Sequence, residues 1–407
     1  MNQYSHGWRT PLVVLFAGCI IATIGFGIRS VFGLFLEPMT VARDWSRETF
    51  ALAMAIQNLL WGVGLPIAGA LADKRGPVPV MMFGALTYFL GVVGMNAADT
   101  PFLFHLTAGI VTGVGVAFTA FSLALASMVR VVGAHKRSLV LGLGTAAGSF
   151  GQVLFSPVTQ GFIEAWGWST TLLWLGGAAL LLIPLCLVLP NDPNLSAENQ
   201  PDQTLRHALH EALTHRGYVL LTIGFFVCGF HVAFITVHFP AYVKDIGLDP
   251  RVGAYSIAII GLLNIVGSLL SGLAGQRWSK KLSLSWIYFL RSLTILALLL
   301  VPKTELNIYL FAAAMGLLWL STVPLTTGIV AQVFGVRFMA TLFGIVFLSH
   351  QIGSFLGVWL GGRLYDTTGS YDGMWWAGVG VGLLAALVHL PINEKPLPRM
   401  VANTGSS

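Results

Sequence analysis

Charged side chains are scarce in this chain of 407 residues, since Asp, Glu, Lys and Arg together make up 9% of it. Soluble globular proteins contain about 25% charged and about 45–50% apolar residues, whereas this chain is 56% apolar. So few charges do not support a soluble fold, and the long apolar runs that recur along the chain need a membrane. The composition therefore excludes a soluble enzyme, a nucleic-acid-binding domain and a disordered protein.

Several chemical signatures are also missing. The three cysteines, Cys19, Cys186 and Cys228, lie inside apolar runs, which predicts reduced core residues and no disulfide framework. The sequence contains no nucleotide-binding P-loop, no catalytic triad and no metal-binding motif. We therefore expect neither an enzyme nor a resident cofactor. The net charge of +6 needs no nucleic-acid partner, because the basic residues follow the membrane topology.

The chain does contain apolar runs of the length that crosses a bilayer, about 17–25 residues. Twelve such runs predict an all-α polytopic membrane protein, with spans near residues 12–36, 48–71, 79–97, 102–129, 138–165, 169–189, 217–243, 252–275, 283–302, 306–333, 338–364 and 373–392. A polar stretch forms a cytoplasmic linker (190–216). It separates an N-terminal six-helix bundle (1–189) from a C-terminal six-helix bundle with a short tail (217–407). Lys and Arg concentrate in loops on the side of the termini, which predicts that both termini are cytoplasmic and that the membrane is the plasma (inner) membrane.

Within the linker, apolar residues recur at helical spacing. A short amphipathic helix on the inner membrane surface is expected there, capped by Asp202 or Thr204. Its apolar positions are Leu205, Leu209, Ala212 and Leu213.

Two short patterns recur with nearly the same offset in the two halves of the chain. GALADKRG at residues 69–76 is echoed by GLAGQR at 272–277, and GSF occurs at both 148–150 and 353–355. The offsets of 203 and 205 residues predict two homologous, pseudo-symmetric bundles that face each other across a central site.

The segment at residues 69–76 resembles the loop motif between helices two and three of the major facilitator superfamily, and the resemblance covers essentially the whole chain. RSVFGLFLE at 29–37, WSRE at 45–48, PIAG at 66–69 and KRSLVLG at 136–142 are similar to its monocarboxylate porter and oxalate–formate exchanger branch. The resemblance implies the major facilitator fold and transport by alternating access, with a central site bounded by the first, fourth, seventh and tenth helices.

The resemblance also implies roles for individual residues. Arg29 stands where monocarboxylate porters carry a functional Lys in the first helix. In the eighth helix, Asn264 and Ser268 take the places of an Asp and of an Arg that binds the substrate carboxylate. The chain therefore departs from that branch in the residues that serve substrate binding and proton coupling there.

Arg29 is a cation near the middle of the first span, where an Arg costs about 2.5–3.5 kcal/mol on insertion scales. Such a residue normally faces a cavity or a partner, and the small neighbours Ala22, Gly25 and Gly33 leave room for a ligand. A guanidinium fork fits a carboxylate, so Arg29 is predicted to bind a substrate anion. The alternative is that Arg29 extends to the outer interface or forms a structural pair.

Five other polar residues inside the spans are candidate substrate-binding groups. Asn58, Gln152 and Asn264 can form hydrogen bonds with a ligand or with neighbouring carbonyls. His231 and His350 matter because all acidic residues fall in loops or at span ends, which leaves histidine as the group that titrates near neutrality inside the membrane. Each histidine can equally be a buried structural residue, and no metal site is expected.

The loop after the second helix is predicted to act as a conformational latch. Asp73 can accept hydrogen bonds from Arg75, from Arg130 or from Arg337, and Gly76 completes the motif. The N-terminal dipole of the eleventh helix favours an anion there by about 0.3–1 kcal/mol. We expect this contact to close the cytoplasmic side in the outward-open state.

These features predict a secondary active or facilitative transporter of a small organic anion, with a monocarboxylate as the favoured substrate. The expected partners are that small molecule, membrane lipids and, if transport is coupled, protons; no nucleic acid and no obligate protein partner is expected. An exporter of hydrophobic or drug-like compounds in the same fold is the first alternative, and a non-transporting membrane sensor is the second. Arg291, in the ninth span, either bonds to carbonyls or serves transport.

Overall fold

The computed structural model describes residues 10–131, 137–191, 204–335 and 338–398. Regular structure in these ranges is helical, and ten helices are long and apolar enough to cross a membrane. The helix Gly142–Cys186 makes two crossings, because Gly167 adopts a φ of 79° and bends it. Asp372–His389 adds an apolar helix of 18 residues. The predicted all-α membrane fold with twelve spans is confirmed.

The N-terminal bundle contains the first six membrane helices. Helix α1 is Pro11–Ser30, continued by the 3₁₀ turn Phe32–Phe35 and by Leu36–Arg43; α2 is Arg47–Arg75, and α3 is Pro77–Ala97. Helix α4 consists of Pro101–Phe104, the π-helical segment His105–Val111, Thr112–Phe118 and, after a break, Phe121–Arg130. Helices α5 and α6 share Arg137–Leu180, which divides at Gly167, and α6 ends with Leu182–Cys186.

The C-terminal bundle follows a linker helix, Leu205–Thr214, which begins where the hydroxyl of Thr204 accepts from the backbone N–H of His207 at 3.3 Å. Its membrane helices are α7 Arg216–Asp245, α8 Pro250–Arg277, α9 Lys280–Leu300, α10 Glu305–Leu318 continued after a break by Thr322–Phe334, α11 Met339–Thr368 and α12 Asp372–His389. The linker helix therefore lies where the apolar spacing predicts it, with Thr204 as its cap.

Helix α10 is interrupted near its middle, and two polar side chains bond to the backbone groups exposed there. The carbonyl of Leu318 accepts from Nε and Nη2 of Arg291 at 3.1 and 2.7 Å, and the carbonyl of Trp319 also accepts from Nη2. The N–H of Leu320 donates to Oδ1 of Asn264 at 3.0 Å. Arg291 is fully buried, and its charge lies at the negative end of the first half of α10. Arg291 thus takes the carbonyl-bonding role.

Buried apolar side chains form two large clusters, one centred in each bundle. The repeated small residues of α11 serve packing within the C-terminal bundle, against α7. A Cβ at Gly353 would lie 2.0 Å from the carbonyl oxygen of Phe226, and one at Gly357 would lie 2.5 Å from that of Phe230. Between the bundles, α2 packs on α11 and α5 packs on α8.

The molecule has two ends, the Arg47 side and the Asn191 side. The Arg47 side carries the connections α1–α2, α7–α8 and α11–α12, and the Asn191 side carries the connection α2–α3 and the end of α6. In the topology predicted from the basic residues, the Asn191 side is cytoplasmic.

Candidate functional site

The candidate site is built around Arg29, near the end of the straight part of α1. Its Nη2 donates to Oδ1 of Asn58 on α2 at 2.6 Å. Its Cζ lies 4.3 Å from the ring centroid of Trp61, one helical turn further along α2. Asn58 is itself fixed, because its Nδ2 donates to the carbonyl of Met54 at 2.8 Å. Two predicted residues, Arg29 and Asn58, are therefore brought together.

A narrow cavity of about 20 Å³, which has room for about one water molecule, lies beside Arg29, between α1, α2 and α4. Arg29 is the lining residue of α1 that lies nearest to the Arg47 side, and the other α1 residues follow towards the Asn191 side. The remaining wall is largely apolar. It includes Ala22, Gly25, Phe26, Trp61, Val116 and Phe121. The lining thus combines one cation with a largely apolar wall, around a space that is smaller in this conformation than an organic ligand.

A chain of hydrogen bonds continues from this cavity into the C-terminal bundle. The side chain of Gln351 on α11 donates from Nε2 to the backbone carbonyl of Asn58 at 2.9 Å. Its Oε1 is an acceptor only, so Nδ1 of His350, 2.8 Å away, carries a proton and donates to it. Ser354 lies on the other side of the same Oε1, at 3.4 Å. His350 therefore reaches Arg29 through Gln351 and Asn58, and sequence reasoning missed Gln351.

Aromatic contacts run parallel to this chain. The ring of Trp61 meets that of Phe347 edge to face, with centroids 5.2 Å apart. The ring of Phe347 in turn stacks on the imidazole of His350, at 5.6 Å and an interplanar angle of 10°. Trp61 therefore contacts both the cation of the N-terminal bundle and an aromatic residue of the C-terminal bundle.

Gln152 and Asn264 lie outside this cavity, at the contact between α5 and α8. Nε2 of Gln152 donates to the carbonyl of Ile257 at 3.1 Å, and Nδ2 of Asn264 donates to Oγ of Ser149 at 3.0 Å. Oδ1 of Asn264 also accepts from Ser268 at 3.1 Å, besides the N–H at the α10 break. Both amides therefore join the bundles in this conformation, and the amide of Asn264 has protein partners on both of its atoms.

His231 faces α12 and is not among the residues that line this cavity, so of the two roles that the sequence leaves open for it, this conformation gives it the buried, hydrogen-bonded one. Its Nε2 lies 2.8 Å from the carbonyl of Gly378. A Cβ at Gly382 would lie 3.0 Å from the same ring, so small residues of α12 make room for the imidazole. The helical period of α7 could not distinguish a face that meets α12 from a face that meets the other bundle.

Of the predicted latch, only part falls on described residues. Arg337 lies outside the described residues, and so do the side chains of Asp73 and Arg130. The side chain of Arg75 is exposed. Gly76 has a φ of 83°, and a Cβ there would lie 2.1 Å from Oδ1 of Asn191. The turn between α2 and α3 therefore requires glycine, because no side chain fits beside Asn191.

The Arg47 side is closed by contacts between the bundles that the sequence did not reveal. Nη1 and Nη2 of Arg47 on α2 donate to the two carboxylate oxygens of Asp245 on α7, at 2.6 and 2.7 Å. The carboxylate of Asp366 on α11 accepts from the backbone N–H groups of Arg47 and Glu48, at 3.0 and 2.6 Å, and so caps α2. Each of these residues lies at a helix end, where sequence alone gives no indication of its partner.

A further chain of hydrogen bonds runs from Arg47 through Tyr371 and His238 to α11. Nη1 of Arg47 donates to the hydroxyl of Tyr371 at 3.0 Å. Nε2 of His238 lies 2.8 Å from the carbonyl of Val358 and donates to it, because a carbonyl oxygen can only accept. In the neutral imidazole Nδ1 is then the acceptor, and it accepts from the hydroxyl of Tyr371 at 3.1 Å. Burial raises the pKa of the Tyr371 phenol above its usual range, which keeps this hydroxyl protonated and able to donate.

The comparisons with known proteins agree with this architecture. The sequence model described as Major Facilitator Superfamily matches residues 15–346. Monocarboxylate transporter 13 of Rattus norvegicus is 24% identical over 389 residues, which cover 94% of this chain and 89% of that protein. Monocarboxylate transporter 11 of Homo sapiens is 27% identical over 413 residues, with 98% and 84% covered. The uncharacterized MFS-type transporter YcxA of Bacillus subtilis (strain 168) is 26% identical over 351 residues, with 84% and 85% covered.

Two solved structures share the fold. A bacterial homologue of the human lysosomal transporter Spinster, in an inward-facing and occupied conformation, superposes with a TM-score of 0.76 at 13% identity, over 94% of this chain and 97% of that chain. The D-xylose–proton symporter superposes with a TM-score of 0.69 at 16% identity, over 95% and 99%. Because the family match spans most of the sequence, the chain belongs to the major facilitator superfamily and is a multi-pass membrane transporter, not an enzyme.

Proposed function

We propose that this transporter carries a small organic anion, a monocarboxylate, and that Arg29 binds the carboxylate. In this proposal the two bundles rock about the central site, with both termini in the cytoplasm and the Arg47 side facing outwards. Arg29 and Asn58 form the anion-binding part of the site, and His350 approaches it through Gln351.

The observation that carries the proposal is the position of the Arg29 charge. Arg29 lines a cavity, and the ion pairs among the described residues do not include it. An unpaired cation in a membrane protein is costly and normally faces a ligand pathway. Its contact with Trp61 supplies only part of the compensation, about 0.5–2 kcal/mol. A bound carboxylate would supply the rest through the guanidinium fork.

The relatives support the same substrate class. Proteins named monocarboxylate transporters match nearly the whole chain, and the match extends through the helices that carry Arg29 and His350. Since identities of 24–27% leave room for a different substrate, the class rests on Arg29 and its cavity together with these names.

Alternating access fits the closure of one side. Arg47 and Asp245 join α2 to α7 on the Arg47 side, and Glu164 on α5 pairs with Arg251 on α8 at 2.6 Å on the same side. The cavity lies on the other side of Arg29, towards Asn191. In the proposed topology this conformation binds or releases substrate on the cytoplasmic side.

The test is binding and counterflow of radiolabelled monocarboxylates with purified protein in proteoliposomes. Arg29→Ala should weaken binding of acids at least about 30-fold, because removing one partner of a desolvated charge pair costs about 2–5 kcal/mol. Arg29→Lys should keep weak binding, since the charge stays but the fork is lost. Arg277→Ala is the matched control, because Arg277 is an exposed cation at the end of α8.

Two results would contradict the proposal. Normal affinity for acids in folded Arg29→Ala would remove Arg29 from the site. Binding of neutral apolar compounds with no preference for acids, unchanged by Arg29→Ala, would favour the exporter of hydrophobic compounds, which the apolar cavity wall could also serve.

A further inference from the structure

We infer that His238 is a positioning residue for the closure of the Arg47 side and makes this closure depend on pH. The neutral imidazole holds the side closed through Tyr371, and the protonated imidazole favours opening. This inference goes beyond the proposed function, because it concerns no substrate. It uses the proposed topology only to say which compartment sets the pH, which is the outer one.

In the closed side, the hydrogen bonds between Arg47 and α11 leave one place for each proton. Nη1 of Arg47 donates to the hydroxyl oxygen of Tyr371 at 3.0 Å, so the phenol proton points to Nδ1 of His238 at 3.1 Å. Nε2 of His238 donates to the carbonyl of Val358 at 2.8 Å. A guanidinium only donates and a carbonyl only accepts, so both ends of this series are fixed. Nδ1 of His238 therefore has to be free of a proton.

A second proton on His238 has no acceptor in this arrangement. Nδ1–H would point at the oxygen of Tyr371, and the phenol proton would have to turn away. His238 and Tyr371 are both buried, and a Cβ at Gly361 on α11 would lie 2.7 Å from the imidazole, which leaves no space for water on that face. The new charge would also share the hydroxyl with the cation of Arg47. A buried charge without a partner and beside a like charge is costly, so protonation opposes closure.

The surrounding helices offer no spare counter-charge. Their ionisable side chains around this series of hydrogen bonds are Arg47 on α2, Asp245 on α7, Tyr365 and Asp366 on α11, and Tyr371 at the start of α12. The carboxylate of Asp245 is bound to both Nη atoms of Arg47, and that of Asp366 accepts from two backbone N–H groups at the start of α2. The 3₁₀ turn Phe32–Phe35, which packs on α7 from the other bundle, carries no ionisable side chain.

The direction and size of the effect follow from where the proton binds. Imidazole in water has an ordinary pKa of about 6.5, whereas carboxylates titrate near about 4 and phenols near about 10. The histidine is therefore the member of this group whose charge changes between pH 8 and pH 5.5. If only the open state takes up the proton, lowering the pH over this range favours the open state about tenfold.

The experiment measures the distance between spin labels at Val41 and Thr367, which are exposed residues of the two bundles on the Arg47 side. The protein carries replacements of its three cysteines and is placed in nanodiscs of zwitterionic lipid without substrate, at pH 8 and at pH 5.5. The ratio of the long-distance to the short-distance population should rise about tenfold at the lower pH.

His238→Gln keeps a side-chain donor for α11 but does not titrate, so its distance distribution should be the same at both pH values. His105→Gln is the matched control. His105 lies near the start of α4 on the same side, and its Nε2 is 2.9 Å from the carbonyl of Thr49 within the N-terminal bundle. This variant should respond to pH as the wild-type protein does.

Tyr371→Phe provides a second measurement in case His238→Gln does not fold. It should reduce the pH response, because closure then no longer requires Nδ1 of His238 to accept. A wild-type distribution that is independent of pH overturns the inference, and so does a full response in either His238→Gln or Tyr371→Phe. None of these outcomes affects the proposed function, because that is tested separately by the binding of acids to Arg29→Ala.

Discussion

The side-chain amide of Gln351 on α11 donates to the backbone carbonyl of Asn58 on α2, at 2.9 Å, and so joins the two bundles directly behind the Arg29 site. Asn58 in turn holds the guanidinium of Arg29 through its side chain. A ligand that displaces the guanidinium of Arg29 therefore also acts on Asn58, whose backbone carbonyl is bonded to the C-terminal bundle. This contact is a physical route by which occupancy of the site can bias the contact between the bundles.

Gln351→Leu tests that route. We expect substrate affinity to change by less than about threefold and the counterflow rate to fall by about tenfold, because the substitution removes a contact between the bundles and leaves Arg29 in place. Ser349→Ala is the control, since the hydroxyl of Ser349 donates to the backbone carbonyl of Thr222, at 2.9 Å, within the C-terminal bundle. Equal losses of rate in both variants would contradict a specific role for Gln351.

Asn58→Asp should place a carboxylate against Arg29, where the amide oxygen now lies at 2.6 Å. This internal anion would compete with the substrate carboxylate, so we expect affinity for acids to fall by about tenfold or more. Asn58→Ala removes the same hydrogen bond without adding charge and should cost about 0.5–1.5 kcal/mol, at most about tenfold. Isothermal titration calorimetry with phenylacetate distinguishes the two variants. Identical losses of affinity would argue against competition by charge.

Asp245→Asn should open the Arg47 side, because the bidentate pair with Arg47 is lost while the helices keep their packing. The side chains of Arg47 and Asp245 are 11% and 24% exposed, so this ion pair is partly shielded from water. A contribution of about 1 kcal/mol corresponds to a shift of about fivefold in the equilibrium between the closed and the open state of this side. The distance between spin labels at Val41 and Thr367, in a background with the three cysteines replaced, should lengthen.

The control for this distance measurement is Asp99→Asn. Asp99 is an exposed acid on the same side of the molecule, and its carboxylate forms no ion pair with the residues that the structure describes. An unchanged distance distribution in Asp245→Asn would show that this ion pair does not hold the side closed.

His350, and not His231, is expected to control any coupling of transport to protons. Histidine is the side chain whose charge changes between pH 5 and 8, and His350 reaches Arg29 through Gln351, whereas His231 is bonded to α12. His350→Gln should abolish accumulation driven by a pH gradient and keep counterflow, and His231→Gln should keep both. Full accumulation in His350→Gln would leave plain exchange, or a proton carried by the acid itself, as the mechanism.

Arg291→Met should destabilise the fold without changing the ligand-binding constant of the folded fraction. The carbonyls of Leu318 and Trp319 would lose their partner, and each unsatisfied buried group costs about 1–3 kcal/mol. The melting temperature of the purified protein and the dissociation constant for phenylacetate measure the two effects separately. A selective loss of affinity at unchanged melting temperature would instead assign Arg291 to the transport site.

The sequence by itself determined the membrane class, the twelve spans and the start of the linker helix. These features depend on local properties: apolar length decides whether a segment crosses a bilayer, and a side chain such as Thr204, which accepts from the N–H of His207 at 3.3 Å, fixes a helix start within three residues. The cost of an unpaired cation is also local, so Arg29 stood out as a candidate before its surroundings were known.

Only the tertiary structure decided which polar residues meet. Helical periodicity assigns residues to a face but does not say which helix covers that face. The sequence therefore leaves His231 open between the cavity and a buried contact, and the structure places it against Gly378 on α12. Gln351 and Asp245 gave no signal, because their partners, Asn58 and Arg47, are distant in the chain. Contacts between bundles arise from packing of whole helices, and no local pattern of residues encodes them.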